Sequence, residues 1–442
     1  MADAAQPLRA LTIGALRDLS IALLATLSMQ QGSAQDAPAK NPEPAPGLSV
    51  APPDAAGSLV ATREQVSLVE KEYGPGAMEL VNPLLNLATA QRRMHDDSGA
   101  EQSYRRALGI VEAHKGADSH ELVAALAGLG AIYSENGDYG VSLDMLNRAI
   151  DVSRKADGLL NPQQLDLMDA LIRNYLALGD YDSVTREQQF AMRVAVSAYR
   201  KDIPRLVNEI ERNAGWFEQM GRYSTARDLQ VRGLGIASDL GKEKNLLMVV
   251  PLRGIARAHR LEYLYGPEFI VNDASGSSSY SAPNREGEAA LEFVIKILET
   301  RGGSAADLAQ ARLDLADWHM LAGDTDKALQ AYREAWTAMN VPGAGGTTAF
   351  DVPVQIFYRP PGVAHRPPDA DRYVERVAEI EFTVAADGRV RGPTLVTDVP
   401  EKTAKLVLRA IREARYRPRF VAGAAVETAG MRYRETLYLP GG

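Results

Sequence analysis

Two hydrophobic periods divide this chain. Through residues 81–340 apolar and small residues recur with the 3.6-residue period of helices, and after residue 348 the period becomes 2, that of strands. The helical part also repeats at a spacing of 42 residues. Ala88, Gly130, Ile172 and Ala214 stand in one register, followed three residues on by Gln91, Tyr133, Tyr175 and Phe217. His95, Gly137, Gly179 and Gly221 come next, and Tyr139, Tyr181 and Tyr223 follow the glycines by two. Two further rows are Ala100, Ser142, Val184, Ala226 and Ala107, Ala149, Ala191, Gly233. A later copy, LDLADWHMLAGDTDKALQAYREAW, repeats the order with Leu315, Ala316, Gly323, Ala328, Tyr332 and Ala335.

Small residues let two helix backbones approach, an aromatic fills the gap to the next pair, and a left-handed glycine ends the first helix. Such a hairpin cannot bury its face alone, so neighbours must stack. The order of small and aromatic residues over about residues 81–340 resembles the tetratricopeptide (TPR) family, in a variant with longer helices. The resemblance implies a helical solenoid that binds proteins or peptides in its concave groove. One repeat is interrupted. A helix over about Leu252–Tyr265 is separated from its partner, which starts near Glu286, by the Ser-rich insertion 266–284. Arg253, Arg257 and Arg260 share one face of that helix. The TPR register places them on the concave side, where they would suit an acidic peptide or a C-terminal carboxylate. The competing expectation is a solvated face paired with neighbouring acidic helices.

After the linker VPGAGGTT, residues 341–348, the segment VAEIEFTV alternates Ile380, Phe382 and Val384 against Glu379, Glu381 and Thr383. Asp387-Gly388 supplies a hairpin turn, and residues 389–396 return as a strand. Residues 400–415 form an amphipathic helix, YRPRFV a short strand, and residues 431–439 a last strand with Met431, Tyr433, Leu437 and Leu439 on one face. The expected order is β-β-α-β-β, a small α+β domain with an antiparallel sheet. FTVAADGRV, the helix ending AREARYRP, GAAV and the final strand resemble the C-terminal domain of the TonB family of periplasmic energy transducers. The resemblance implies that an extended partner segment adds as a strand to an exposed sheet edge. The last strand, with Met431, Arg432, Tyr433, Arg434 and Thr436, is the candidate edge, and Arg432 and Arg434 could select an acidic segment. Edge charges also serve merely to block aggregation.

The N-terminus reads as an address. Arg9 and Arg17 precede the apolar run Leu19–Met29, and Gly32, Ser33 and Ala34 precede Gln35. This is the pattern of a cleaved secretory signal over residues 1–34. The run is short for a bilayer, which needs about 20 apolar residues, so a retained inner-membrane anchor is the alternative. Residues 35–57 are Pro/Ala-rich, with six prolines in residues 36–57, and read as a tether. The expected organisation is therefore signal 1–34, tether 35–57, helical repeats 58–340, linker 341–350 and TonB-like domain 351–442.

Composition narrows the function. The net charge of -8 disfavours general nucleic-acid binding, and the absence of cysteine removes disulfides and thiolate chemistry. The six histidines are scattered, and no phosphate-binding glycine loop or nucleophile elbow occurs. Residues 351–442 carry 15 Lys+Arg against 12 Asp+Glu, while the rest of the chain is acidic. The expectation is a mainly α, non-enzymatic periplasmic adaptor of the cell envelope or its transport machinery, without cofactor, metal or small-molecule substrate. Its partners would be proteins or peptides, with an outer-membrane receptor segment and peptidoglycan as candidates. A membrane-anchored TonB-type energy transducer is the alternative.

Overall fold

The structure, a computed structural model, describes residues 55–239, 246–266, 270–272, 278–280, 283–340, 348–364 and 373–440. The expected signal segment, most of the tether and the linker 341–347 lie outside the described residues. The chain divides into two compact units, Met1–Glu209 and Ile210–Gly442.

The first unit is built of helices: α1 (Ala55–Tyr73), α2 (Val81–Arg93), α3 (Asp97–Lys115), α4 (Leu122–Glu135), α5 (Tyr139–Asp157), α6 (Leu165–Leu178) and α7 (Tyr181–Tyr199). They pair as α2/α3, α4/α5 and α6/α7, each pair packing on the next. The rows of small residues mark the crossings. Ala88, Ala100, Ala107, Ala149, Ile172 and Val184 are all fully buried. Gly130 shows why its position stays small: a Cβ there would lie 2.8 Å from Leu146 Cγ. Ser142 Oγ donates to the Gly130 carbonyl at 2.6 Å, so a buried hydroxyl ties the two helices where they approach. The turn glycines Gly137 and Gly179 have φ of 83° and 73°, and His95, in the same register, takes the left-handed conformation without being glycine at 58°.

The second unit continues the hairpins. It contains most of α8 (Ile203–Gln219), then α9 (Tyr223–Ser238), α10 (Val249–Tyr265), a short hairpin of β1 (Ile270–Asn272) and β2 (Ser278–Tyr280), α11 (Arg285–Arg301), α12 (Ala305–Ala322) and α13 (Thr325–Met339). Ala214, Ala226, Ala316, Ala328 and Ala335 are fully buried at its crossings. The second helices α3, α5, α7 and α9 begin at Asp97, Tyr139, Tyr181 and Tyr223, so the 42-residue sequence period is the period of the hairpins.

Strands follow: β3 (Val354–Phe357), β4 (Tyr373–Val384), β5 (Val390–Leu395), the helix α14 (Glu401–Glu413), β6 (Arg415–Arg417), β7 (Arg419–Val421), β8 (Ala424–Val426) and β9 (Thr428–Pro440). All pairings are antiparallel. The main sheet has the order β5-β4-β9, while β3 pairs with β6 and β7 with β8. The period-2 residues Ile380, Phe382 and Val384 form the core of this sheet with Val407 and Ile411 of α14 and Leu437 of β9. The β3 strand was not among the sequence expectations. Its Ile356 and Phe357, with Phe350 and Phe420, enter one hydrophobic cluster with Leu313, Ala316 and Met320 of α12 and Tyr332 of α13. The strands and the last helix hairpin thus share a core.

Candidate protein-binding surface

The sequence pointed to two rows of arginine, one on a helix and one on a strand. The helical row stands on α10. Arg257 Nε donates to Glu218 Oε2 at 2.8 Å and its Nη2 to Glu211 Oε1 at 2.7 Å, both acceptors being on α8. Burial disfavours the charge on Arg257, and the two carboxylates outweigh it, so its pKa rises. Arg253 faces the other way, to α12: Nη2 donates to the Asp307 carbonyl at 3.0 Å and Nε lies 3.5 Å from Asp314 Oδ2. Arg260 Nη1 lies 4.0 Å from Asp317 Oδ2. Burial is also the main cause that raises the Asp314 pKa, against the pull of Arg253. The three arginines stand in one row on α10, Arg257 turned to α8 and Arg253 and Arg260 to α12, and each has an acidic partner within the chain.

The strand row stands on β9. The order β5-β4-β9 places β9 at an edge, paired with β4 from Pro440↔Tyr373 to Met431↔Phe382. Met431 and Tyr433 face α14 and the core. Arg432, Arg434 and Thr436 are exposed on the opposite face. Arg432 reaches Glu379 and Glu381 of β4, both at 3.2 Å, and Arg434 reaches Glu379 at 3.5 Å. Their side chains remain 60% and 74% exposed, so these pairs hold little energy.

The direction of the β9 backbone follows from β4. The Glu379 N–H donates to Thr397 Oγ1 at 2.9 Å, and its carbonyl accepts from Val396 N–H at 2.8 Å. Both groups of Glu379 thus turn towards the β5 side. A residue turned away from its antiparallel partner belongs to a non-hydrogen-bonded pair, whose two members point outward in opposite directions. Arg434, opposite Glu379, accordingly turns its N–H and C=O away from β4, to the outer edge of the sheet. By the two-residue period Arg432 and Thr436 do the same, and Tyr433 and Glu435 bond β4.

On the α14 side of β9, Tyr358 OH donates to the Glu435 carboxylate. The Tyr358 and Tyr433 rings meet at 4.9 Å and 60°. Burial first, then Glu435, raises the Tyr358 pKa far above that of a free phenol, and the same causes push Tyr433 up to about 12. These hydroxyls stay protonated and donate at neutral pH.

One group of buried polar residues joins parts of the chain that are distant in sequence. Arg417 of β6 donates through Nη2 and Nε to Asp317 of α12 at 2.8 and 3.1 Å, and through Nη1 to the Ala349 carbonyl at 2.9 Å. Tyr332 OH donates to the same carboxylate at 2.8 Å. Arg417 and Asp317 are 8% and 6% exposed. Burial disfavours the Arg417 charge, and Asp317 overcomes that and raises its pKa. The signal was present, since Asp317 interrupts the apolar run LDLADWHMLA. Its partner lies 100 residues away, where no local pattern reaches it.

Among the described residues no group of three or more His, Asp or Glu is placed to hold a metal ion. No described helix is long and apolar enough to cross a membrane.

No protein-family model matches the sequence, and comparison with curated proteins gives no match. Solved structures do resemble the chain. The C-terminal part of a TPR repeat-containing protein from Cytophaga hutchinsonii is 13% identical, with 64% of this chain and 93% of that one covered and a TM-score of 0.38. A tetratricopeptide repeat protein from Parabacteroides merdae is 15% identical, with 65% and 89% covered and a TM-score of 0.35. Aspartyl phosphate phosphatase F from Bacillus subtilis is 12% identical, with 66% and 70% covered and a TM-score of 0.34. Scores this low carry no functional argument. What makes the array TPR-like is its own geometry, stacked helix pairs whose small residues sit at the crossings.

Proposed function

We propose that this chain is a non-catalytic protein-binding adaptor, exported to the periplasm, that takes an extended segment of a partner protein as an added strand on β9. The observation that carries this reading is the 13-residue edge strand itself, with Arg432, Arg434 and Thr436 turning their backbone groups outward. Main-chain bonds would supply affinity there, and the alternating side chains would supply selectivity. The stacked helix hairpins support a protein-binding role, since such arrays present extended surfaces. Export rests on the signal-like residues 1–34, and the TonB-like reading of the C-terminal region rests on its sequence motifs.

Two adjacent prolines test the edge. In Arg434→Pro the lost N–H is an outward one, so the β4 ladder keeps its bonds and the sheet folds. In Tyr433→Pro the lost N–H bonds β4, so the sheet is destabilised. Crosslinking capture from periplasm with the full chain is expected to lose its partners in Arg434→Pro while circular dichroism stays that of the parent. Unchanged capture by a folded Arg434→Pro variant would exclude strand addition at this edge.

A further inference from the structure

The two faces of β9 differ in chemistry, and the difference specifies what kind of strand fits beside it. On the open face, Arg432 and Arg434 stand two residues apart in one row. Glu379 and Glu381 flank that row on the β4 side. On the other side of the row no described strand pairs with β9, although residues 362–364 pack against the strand. Opposite charges on adjacent strands attract when they face each other directly, and like charges repel. A carboxylate on an added strand would give each arginine an acidic neighbour on its outer side as well, so that the row runs acid, arginine, acid across three strands.

Between the arginines, on the other face, stands Tyr433, half-buried against Tyr358. Tyr265, the last residue of α10, is 65% exposed, and it lies close enough to Tyr433 to add to the rise of its pKa. An added strand brings its intervening side chain to this aromatic corner. A cation there would lose water beside rings already packed edge to face, whereas an apolar side chain covers them.

We infer that the β9 edge selects an extended segment alternating acidic and apolar residues, with two acidic residues flanking one apolar residue, the acids beside Arg432 and Arg434 and the apolar residue against Tyr433. This rests on the strand-addition reading and adds the identity of the partner strand to it. The alternation holds for either strand direction, because side chains alternate faces with period 2 in both.

The test uses the full chain and four short fluorescein-labelled peptides, followed by anisotropy at low salt. The first has a Glu-Val-Glu-Val-Glu core, the second has Lys at every Glu position, the third has proline in place of the central Glu, and the fourth has Gln there as the charge-matched reference for the third. The expected result is that the Glu peptide binds tighter than the Lys peptide by roughly three- to tenfold, the sum of two exposed charge pairs. The proline peptide should lose binding, and Arg432→Gln/Arg434→Gln should abolish the preference for Glu without abolishing proline-sensitive binding. Should the Glu and Lys peptides bind equally, with proline still abolishing binding, strand addition stands and the selection rule is overturned. Should the proline peptide bind as well as its Gln reference, binding is mere charge attraction and the edge reading itself falls. If no peptide binds at millimolar concentration, the edge takes no such strand and both readings fall. The glutamine variants keep the main chain intact, and circular dichroism checks their fold.

Discussion

The arginine row on α10 and the arginine row on β9 look alike in the sequence and end in opposite circumstances. Arg253, Arg257 and Arg260 sit on a helix with neighbours on both sides, and Glu211 and Glu218 from α8 and Asp307, Asp314 and Asp317 from α12 close in on them. Arg432 and Arg434 sit on a strand with, among the described residues, a strand neighbour on one side only, and Glu379 and Glu381 approach them from that side. A helix inside a stacked array is flanked twice, and a strand at a sheet edge is flanked once. The difference shows that residue type and spacing define a candidate row, while the number of flanking elements decides whether its charges have already been matched.

The largest effect is expected where the helical row meets the buried pair. Asp317 accepts from Arg417 and Tyr332 and stands near Arg260. Asp317→Ala leaves a buried guanidinium without its carboxylate, which costs about 3–5 kcal/mol. Urea unfolding of the second unit checks this. A cost near zero would mean that water reaches Arg417 and that the α12 side of the row is open.

Next in size are the crossings that hold the arrays in register. Gly130→Leu and Ala316→Leu place a large side chain where two helices touch, each at a cost of about 1–3 kcal/mol. Thermal unfolding measures it, and melting like the parent would contradict the close approach of Gly130 to Leu146.

The two rows themselves should then separate. Replacing Arg253, Arg257 and Arg260 with Gln removes pairs on both sides and is expected to cost about 1 kcal/mol or somewhat more in total, discounted because Arg257 is 40% exposed. Replacing Arg432 and Arg434 with Gln is expected to change stability by no more than about 0.5 kcal/mol each, the range of surface substitutions. Equal costs, measured by urea unfolding, would erase the contrast.

The closed surroundings of α10 also make it sensitive to acid. His259 of α10 is buried, and its groups are Arg227 of α9, Glu262 of its own helix and Glu286 of α11, with Nε2 at 3.2 Å from Glu286. Burial first, then Arg227, lowers its pKa, with the two glutamates opposing. Burial also lowers the pKa of His319, with Glu288 opposing. A histidine whose folded pKa lies below its unfolded value of about 6.5 leaves the folded chain short of protons relative to the unfolded one. The stability it contributes is complete above that value and is lost as pH falls towards the folded pKa. Urea midpoints of the parent should decline between about pH 7 and pH 5, and the decline should shrink in His259→Gln/His319→Gln.

The legible and illegible parts of the molecule divide along contact range. Repeats were legible because Ala88, Gly130, Ile172 and Ala214 report a local demand, the approach of a helix to its neighbour. The Asp387-Gly388 turn was legible for a similar reason: Gly388 takes φ 77°, and a Cβ there would lie 2.2 Å from the Tyr416 carbonyl. The edge position of β9 is set by its pairing with β4 alone, which the order of strands along the chain does not fix. That acidic helices would pair with the α10 arginines was one of the two expectations, whereas which carboxylates do so depends on how α8 and α12 stand beside α10, and residue spacing within α10 holds no record of that. The joining of β3 and β6 to the last hairpin through Phe350, Ile356 and Arg417 is more distant still, and the sequence read alone left a linker where a shared core follows.

The central claim, that the outer edge of β9 is open while its inner edge is bonded, can be measured amide by amide. Hydrogen exchange resolved by NMR in the free chain should alternate along the strand. The N–H groups of Arg432, Arg434 and Thr436 should exchange fast, and those of Tyr433, Glu435 and Leu437 slowly, because only the second set bonds β4. Uniform protection of all six would contradict the account, since it would mean that something already covers the edge.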